Sequence, residues 1–310
     1  MNRFATLALG SAMLALAAPA MAQSNFDKVE IKAEEVAPGV AVLFGAGGNI
    51  GVSHGEDGTV LIDDQFAPLT DRILAAVAGL GAKPVKYLVN THWHFDHSGG
   101  NENLGKAGVT IFAHDNVRVR LAAGGTVAGN ETKPAPREAL PVVTYEHGIS
   151  FHLNGDRIDA ITTGGGHTDG DTALYWRKAN VLHTGDLMMN GMGFPFVDIS
   201  SGGSAVRLVK TLDHLVKLTN AETKVIPGHG PVCTQAELVA WRDMIAKSVE
   251  LIRARKAGGA TLEAVLVDNP LKPMEKPDAF ISAEAFARAI WASLEEGHHH
   301  GHHDGAHQHP

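Results

Sequence analysis

The first half of the chain alternates short apolar runs with glycine-rich or Asp-Gly turns, a pattern typical of consecutive β-strands and hairpins. Apolar positions 69, 73, 74 and 77 instead recur with helical spacing, and they predict a helix over 68–78. The apolar runs predict strands at 40–44, 49–53, 59–63, 85–89, 109–113, 142–145, 149–153, 157–162, 172–176, 181–183 and 224–226.

Helical patterns dominate the second half of the chain. Ser204 is a predicted N-cap, and Thr234 with Glu237 forms a capping-box pattern. Because two groups of strands are each followed by helices, the pattern predicts a layered α/β protein. A stretch rich in glycine, proline and threonine at 124–141 predicts an irregular excursion between them. The further predicted helices are 114–122, 204–218, 234–256, 262–267 and 282–294.

The N-terminal segment predicts an export signal. Asn2 and Arg3 give it a positive start, residues 4–18 are almost wholly apolar, and 20–22 form a small-x-small cleavage pattern. We therefore expect a signal peptide over 1–22, a mature protein that begins near Gln23, and a periplasmic or secreted location. A membrane anchor is the less favoured alternative because the apolar run is short for a transmembrane helix. No membrane span is expected after the signal is removed.

The formal charge of -8 argues against a nucleic-acid backbone as partner, since such proteins usually carry basic patches. A small-molecule substrate is expected instead. Residues 23–296 predict one domain with a helical extension from about 234. Cys233 is the only cysteine in the sequence, and we expect a buried structural thiol rather than a ligand or nucleophile. The tail at 297–310 holds seven of the eighteen histidines and should be disordered without metal.

A histidine-rich segment directly after the predicted strand at 85–89 carries the strongest chemical signal. His92, His94, Asp96 and His97 place four potential ligands within six residues. His92 and His94 alternate, so both can face one side of an extended segment, while Asp96 and His97 turn toward a second centre. Imidazole nitrogens and carboxylate oxygens together suit zinc and related transition metals. The segment therefore predicts a metal site.

Three later turns repeat one form, in which a buried strand leads to a ligand-type residue. His167 follows three glycines, Asp186 closes the turn after the strand at 181–183, and His229 lies between two glycines. Each is weak evidence alone, because a lone histidine is more often structural. In this order, behind the first segment, they predict further ligands, and His183 is a candidate to support them from behind.

This set of motifs resembles the metallo-β-lactamase superfamily, with its His-x-His-x-Asp-His segment and three downstream ligand turns, over residues 40–232. The resemblance implies a four-layer αββα sandwich, here with extra C-terminal helices, whose loops hold metal at one edge of the two sheets. It also implies two adjoining sites with a shared bridging ligand. The first would be held by His92, His94 and His167, the second by Asp96, His97 and His229, and the bridge would be Asp186.

The resemblance further implies a hydrolase with two zinc ions per chain, iron or manganese being alternatives. A hydroxide bridging the ions would attack the carbonyl carbon of an amide, lactam or ester, because metal binding lowers the pKa of water. The first ion would stabilise the oxyanion and the second the departing anionic group. Asp96 would orient the hydroxide and shuttle a proton, which makes it the expected catalytic residue.

Asp186 bears on which hydrolase this is. In two subclasses of zinc β-lactamase this position is Cys or Ser. With Asp at this position, the chain instead resembles other branches of the family, namely glyoxalase II-like thioesterases, lactonases, phosphodiesterases and arylsulfatase-like enzymes. The loop that follows is apolar and has no lysine to pair with a β-lactam carboxylate. Its Asn190, Phe194 and Phe196 are candidate substrate contacts and favour a hydrophobic or amphipathic substrate. β-Lactamase activity and a glyoxalase II-like thioesterase both stay open.

Metal handling is the alternative of a different class. The histidine-rich tail could bind zinc or nickel and either supply the site or buffer metal by itself. The globular domain would then be a periplasmic metal-binding scaffold without turnover. The complete set of ligand positions favours catalysis over this alternative.

Overall fold

The computed structural model describes residues 26–299 apart from 163, with side chains as far as Glu295. The predicted signal peptide over 1–22 lies outside the described residues. So does the histidine-rich tail, apart from the backbone of 297–299, which ends the last helix. Within the described part, no helix combines the length and the apolar character that crossing a membrane requires.

The described chain contains every strand and helix that the sequence pattern predicts, in the predicted order, together with four further strands and two further short α-helices. Its strands are β1 Lys32–Ala37, β2 Val40–Phe44, β3 Ile50–Ser53, β4 Thr59–Ile62, β5 Val85–Val89, β6 Thr110–His114, β7 Gly125–Val127, β8 Asn130–Thr132, β9 Val143–Tyr145, β10 Ile149–Leu153, β11 Asp156–Thr162, β12 Thr172–Trp176, β13 Val181–His183, β14 Lys224–Ile226 and β15 Cys233–Thr234. Its α-helices are α1 Thr70–Gly79, α2 Phe95–Ser98, α3 Asn101–Lys106, α4 Asp115–Ala123, α5 Ala205–Leu218, α6 Gln235–Ala257, α7 Leu262–Asp268 and α8 Ala283–His299.

Most strands belong to two sheets. A seven-stranded sheet has the order β1-β2-β3-β4-β5-β6-β9, a six-stranded sheet runs from β10 to β15 in chain order, and β7 pairs with β8 as a separate hairpin. Val42 and Ile62 of the first sheet share a buried cluster with Leu174 and Trp176 of the second, so the sheets pack face to face.

Helices cover the outer face of each sheet. Because side chains alternate along a strand, Leu61 and Leu88 point away from the second sheet and pack with Ile73 of α1. On the other side, Leu182 of the second sheet lies in one cluster with apolar residues of α5, α6 and α8, among them Leu212. The predicted four-layer αββα sandwich with additional C-terminal helices is therefore confirmed.

Local signals placed several elements correctly. Ser204 caps α5 by accepting a hydrogen bond from the Arg207 N–H, and Thr234 and Glu237 form the predicted capping box of α6. The strand β1 was not predicted because most of its positions are exposed and polar, without an apolar alternation. The stretch at 124–141, predicted as irregular, contains the β7–β8 hairpin.

The topology brings the ends of the ligand-bearing loops to one edge. β4 and β5 are parallel in the first sheet, and β13 and β14 are parallel in the second. Parallel strands present their carboxyl ends at a common edge, where ligands bind in layered α/β proteins. The loop between the antiparallel β11 and β12 returns to the same edge, because β12 is antiparallel to β13.

Candidate metal centre

The structure brings all seven sequence-predicted ligands into one cluster at this edge. Their ligand atoms form overlapping groups in which every nitrogen or oxygen lies within 4.8 Å of the others. Such a convergence of His and Asp donors fits a metal centre. The groups are His92, His94 and His167; His92, His97 and Asp186; and Asp96, His97 and His229.

The first group consists of three buried histidines. His94 turns its Nδ1 toward His167 Nε2, 3.0 Å away, and the ring centroid of His92 lies 4.7 Å from both other rings. His92 Nε2 is buried and has no hydrogen-bond partner. Burying an imidazole nitrogen without a partner is costly unless a ligand satisfies it, so this orphaned atom fits a bound cation.

The second group is more open to solvent. His97 Nε2 lies 3.2 Å from His229 Nε2, and Asp96 Oδ2 lies 3.3 Å from the same His229 atom. His97 is fully buried, whereas the side chains of Asp96 and His229 are 22% and 20% exposed. A small molecule therefore reaches the centre from the side of Asp96 and His229.

Asp186 lies between the two groups with one carboxylate oxygen toward each. Its Oδ1 is 3.1 Å from His97 Nε2 and 3.5 Å from His229 Nε2. Its Oδ2 is 3.6 Å from His167 Nε2 and 4.0 Å from His92 Nε2. Oδ1 is buried and has no hydrogen-bond partner of good geometry. This is the arrangement of a carboxylate that can be shared by two cations.

Two further carboxylates contact His97 and His94 at the ring nitrogens that point away from the cluster. Asp63 Oδ2 lies 2.7 Å from His97 Nδ1, and Asp198 Oδ2 lies 3.0 Å from His94 Nε2. In each ring the other nitrogen faces the cluster. A partner on the outer nitrogen fixes the orientation and tautomer of a ligating histidine, so these contacts prepare the inner nitrogens to bind metal.

Sequence reasoning missed both carboxylates. Asp63 could have been found, because it directly follows β4, which runs parallel to the strand that leads to His92. Asp63 and Gln65 also have positive φ angles of 66° and 54°, a conformation that non-glycine residues adopt rarely and often at functional sites. Asp198 carries no such signal, since it lies 104 residues from His94 in an apolar loop.

Two glycines let the backbone approach the ligands closely. A Cβ on Gly48 would lie 2.1 Å from Cε1 of His97, and a Cβ on Gly228 would lie 2.0 Å from Oδ1 of Asp186. Real Cβ atoms do not come so near, so any larger residue would displace a predicted ligand. The glycine-rich turns at 45–48 and 228–230 thus shape the cluster as well as the chain.

His183 supports the cluster from behind, as its position near Asp186 suggested. It is buried, its Nδ1 accepts a hydrogen bond from the Gly185 N–H, and its Nε2 lies 3.0 Å from the carbonyl oxygen of Asn49. The Asn49 amide in turn donates to the carbonyl oxygens of Pro227 and Gly230, on either side of His229. One buried network therefore ties the Asp186 turn to the His229 turn.

Two histidines of the first group, His92 and His167, stay uncharged at neutral pH. Burial, together with the neighbouring imidazoles, lowers the pKa of His92 well below its ordinary value. Burial and the adjacent His94 lower the pKa of His167 to about 4. Neutral imidazole is the form that binds metal, so these two rings need not lose a proton first.

The environment of the second group instead favours protonated histidines and ionised carboxylates. Burial by itself lowers the pKa of His229, but the carboxylates of Asp186 and Asp96 raise it to about 9. Burial would likewise raise the pKa of Asp186, but the positive charges of His97 and His229 hold it well below its ordinary value. Negative charge is thus concentrated where a divalent ion would sit, and nitrogen and carboxylate donors suit zinc, iron or manganese.

The structure distributes the predicted substrate contacts differently. Phe196 lies beside the first group, with its ring centroid 5.9 Å from His94 and its carbonyl oxygen 2.7 Å from His167 Nδ1. Phe194 lies in the core, where it is 1% exposed and stacks on Phe286. The Asn190 amide donates to the carbonyl oxygen of Pro231. Substrate contact by these residues stays a prediction.

Cys233 lies apart from the three ligand groups. It is buried, and its Sγ is 3.9 Å from Met188 Sδ. Burial raises the pKa of its thiol to about 12, so the reactive thiolate is not formed at neutral pH. This agrees with the structural thiol that the sequence predicted.

Comparison with known proteins identifies the family. The family model of the metallo-beta-lactamase superfamily matches residues 43–229, which is more than half of the chain. The hydroxyacylglutathione hydrolase of Rhodospirillum rubrum is 30% identical over 228 residues, covering 70% of this chain and 78% of that protein. The type 2 metallo-beta-lactamase of Bacteroides fragilis is 27% identical over 155 residues, covering 49% and 55%.

Solved structures show the same fold. The metallo-beta-lactamase from Pontibacter korlensis superimposes with a TM-score of 0.61 at 20% identity, covering 70% of this chain and 99% of that one. At this identity the likeness concerns the fold alone, and it agrees with the αββα layers described above. The matched range contains all seven clustered residues. The chain therefore belongs to the metallo-beta-lactamase superfamily and is a metal-dependent hydrolase.

Proposed function

We propose that the chain is an exported, dinuclear zinc hydrolase that cleaves a carbonyl-type bond in a small amide, lactam or ester. The observation that carries the proposal is Asp186, whose two oxygens face two different groups of histidines. When bound, two zinc ions would make a water molecule nucleophilic at neutral pH and stabilise the negative charge that develops on the substrate. Iron or manganese could replace zinc, because hard carboxylate oxygens accept all three.

Asp96 is the residue proposed to manage the proton. It lies on the solvent side of the cluster, with Oδ2 3.3 Å from His229 Nε2. Its carboxylate can accept a hydrogen bond from the attacking water, hold the proton, and release it to the departing group. Asp186, only 4% exposed, is enclosed by the histidines and is better suited to bridging than to proton transfer.

A thioesterase is the second candidate. The relative from Rhodospirillum rubrum, which this chain matches over most of its length, is named a hydroxyacylglutathione hydrolase. A thioester presents the same type of carbonyl carbon to the centre, so the cluster geometry serves both candidates. The choice between them depends on the leaving group and not on the ligands.

A hydrolysis panel on the purified, zinc-loaded protein tests the proposal. It contains a cephalosporin, a carbapenem, a lactone, a simple ester, a thioester and a phosphodiester, each assayed with wild type and Asp96→Ala. We expect the fastest turnover on a lactam, lactone or ester and a loss of about 100-fold or more in D96A. Wild-type rates in D96A would overturn the role of Asp96.

The other outcomes of the panel are equally decisive. The fastest turnover on the thioester would favour the second candidate over the first. A preference for the phosphodiester would overturn the carbonyl class. No hydrolysis of any compound by the zinc-loaded protein would count against both candidates and in favour of a metal-binding role.

Export is a separate part of the proposal and has its own test. It is supported by Arg3, the apolar residues 4–18 and the small residues Ala20 and Ala22. After expression in a Gram-negative host, we expect the protein in the periplasmic fraction. Its intact mass should be that of a chain whose first residue is Gln23. A cytoplasmic protein that retains residues 1–22 would contradict export while leaving the hydrolase proposal intact.

A further inference from the structure

An open groove of about 510 Å³ runs beside His229, on the solvent side of the candidate centre. It is lined by the glycine-rich turn at 45–47, by Phe44 and Met192, and by Glu34. The first group of histidines is buried, whereas His229 of the second group lines this groove. The inference below rests on the proposed function and concerns which substrates the groove accepts.

The groove is held in shape by contacts outside it. The Gly48 N–H donates to the carbonyl oxygen of Asp96, which ties the glycine-rich turn to the metal cluster. The carbonyl oxygen of Met192 accepts a hydrogen bond from the Phe280 N–H, and Gly193 forms a β-bridge with Ile281. The C-terminal extension therefore anchors one side of the groove before any substrate arrives.

The groove contains one acidic side chain. Of the described residues that line it, Glu34 is the one with a charged side chain besides His229. Glu34 is exposed, and none of the ion pairs within residues 26–299 involves it. Lys32 shares its face of β1 but does not line the groove. An anionic substituent in the groove would meet the carboxylate of Glu34, which forms no ion pair with Lys32 although the two share one face of β1.

Strand geometry directs Glu34 toward the groove. In the β1–β2 register Glu34 is opposite Val42, whose side chain lies between the two sheets, and paired residues project to the same side. Its neighbour Glu35 is opposite Ala41, on the helical side, and lies 3.5 Å from His54 Nε2. The side chains of these two adjacent glutamates thus project from opposite faces of β1.

We propose that this groove holds a cationic or neutral apolar group of the substrate, and that Glu34 disfavours anionic groups there. Phe44 offers an aromatic ring and Met192 a polarisable thioether, both of which pack well against alkyl or alkylammonium groups. The carboxylate of Glu34 adds a long-range preference for positive charge. Turnover of otherwise identical substrates therefore falls in the order cationic, neutral, anionic.

Matched esters test this order. Three esters differ only in a distal trimethylammonium, tert-butyl or carboxylate substituent, and two such series carry it on the acyl side or on the leaving-group side. In one of the series we expect kcat/KM of the wild type to be about tenfold higher for the trimethylammonium than for the carboxylate ester. The ratio shrinks toward one at about 1 M salt, because the interaction is screened.

Charge reversal assigns the effect to Glu34. Glu34→Lys should invert the ratio and Glu34→Gln should bring it near one, while the tert-butyl ester changes least. Glu35→Lys changes the net charge equally on the opposite face of β1 and should keep the wild-type order. Equal effects of E34K and E35K, or a wild type without charge preference, would overturn the inference. If none of the six esters is hydrolysed, the proposed ester activity fails instead.

Discussion

Replacing Asp198 with asparagine should weaken metal binding at the first group while leaving the fold intact. Asp198 Oδ2 lies 3.0 Å from His94 Nε2, so that His94 Nδ1 faces His167. Hydroxyl groups of Ser200 and Ser201 donate to the same carboxylate and fix its position. Asparagine keeps the shape of the side chain but removes its charge and one acceptor oxygen.

The size of the effect follows from the charge of this carboxylate. Burial would raise the pKa of Asp198, but hydrogen bonds from His94, Ser200 and Ser201 outweigh it and hold the pKa well below its ordinary value. The side chain is therefore an anion that polarises the His94 ring. Loss of a partner of this kind costs about 10- to 100-fold in metal affinity, or about 1.4 to 2.8 kcal/mol.

Zinc titration against a competing chromophoric chelator measures this loss. We expect one of the two tight equivalents to weaken by that factor in Asp198→Asn and the other to change little. Cobalt substitution adds a spectroscopic readout, because the ligand-field bands of one site should shift. The histidine-rich tail is common to all variants, so its contribution cancels in the comparison.

A matched variant separates orientation from charge. Asp213→Asn on α5 removes the same charge but contacts Arg242 rather than a predicted ligand, and it should bind zinc as the wild type does. If D198N binds both equivalents with wild-type affinity and keeps its circular dichroism spectrum, Asp198 does not orient His94. Equal weakening in D213N would attribute the effect to net charge.

Three further predictions concern the glycine-rich turn at 45–48, the metal and a distant ion pair. Gly48→Ala should lower the free energy of unfolding by about 1–3 kcal/mol and abolish binding of the second metal ion, because its Cβ would lie 2.1 Å from His97. In Gly79→Ala, the control, the new Cβ meets no atom within 4 Å, and stability should not change. Removal of metal by a chelator should abolish hydrolysis and lower the free energy of unfolding by about 2.7 kcal/mol for each site previously saturated 100-fold above its Kd. In the metal-free protein, Asp159→Asn should cost about 1–2 kcal/mol at pH 7, because Arg157 and Arg177 each lie 2.6 Å from its carboxylate.

The pH dependence of the last prediction has a defined sign. Burial raises the pKa of Asp159, but hydrogen bonds from Ser150, Arg177 and Arg157 outweigh it and lower the pKa below its ordinary value. Its stabilisation is complete above the unfolded-state pKa of about 3.9 and is lost as the pH falls through the lower folded-state pKa. Urea unfolding of the wild type and of Asp159→Asn at several pH values checks this. A difference in their free energies of unfolding that persists unchanged at pH 2 would contradict it.

The results that would count against the other two predictions are also specific. A G48A variant that retains two zinc ions and wild-type stability would mean that the turn at 45–48 can move away from His97. Full hydrolysis after complete removal of metal would contradict a metal-dependent centre. Differential scanning calorimetry and metal analysis check the first result, and a hydrolysis assay of the metal-free protein checks the second.

Features set by neighbours in the chain were predictable from the sequence. The helices α5 and α6 begin where Ser204 and Thr234 can cap them, because capping depends on residues only three positions away. The seven clustered residues were also found, since each follows a strand whose apolar pattern is visible. Their convergence was implied by family resemblance, and the structure brings them together.

Features set by distant contacts were not predictable. Asp198 touches a histidine 104 positions away, and no local pattern records that contact, whereas for Asp63 the sequence shows its place at the end of a strand but not its contact with His97. Phe194 and Phe196 look alike in the sequence, yet one stacks on Phe286 and the other lies beside His94. Glu34 belongs to an exposed edge strand without apolar alternation, so both the strand and the groove beside it depend on the tertiary structure.

Anomalous X-ray diffraction at the zinc edge, from crystals of the full chain, tests the central claim most directly, because it locates ions instead of counting them. The account predicts two anomalous peaks at the clustered site. One lies among His92, His94 and His167, the other lies among Asp96, His97 and His229, and Asp186 contacts both. A single peak would contradict the dinuclear centre, and zinc bound elsewhere with neither group occupied would contradict the assignment of the site itself.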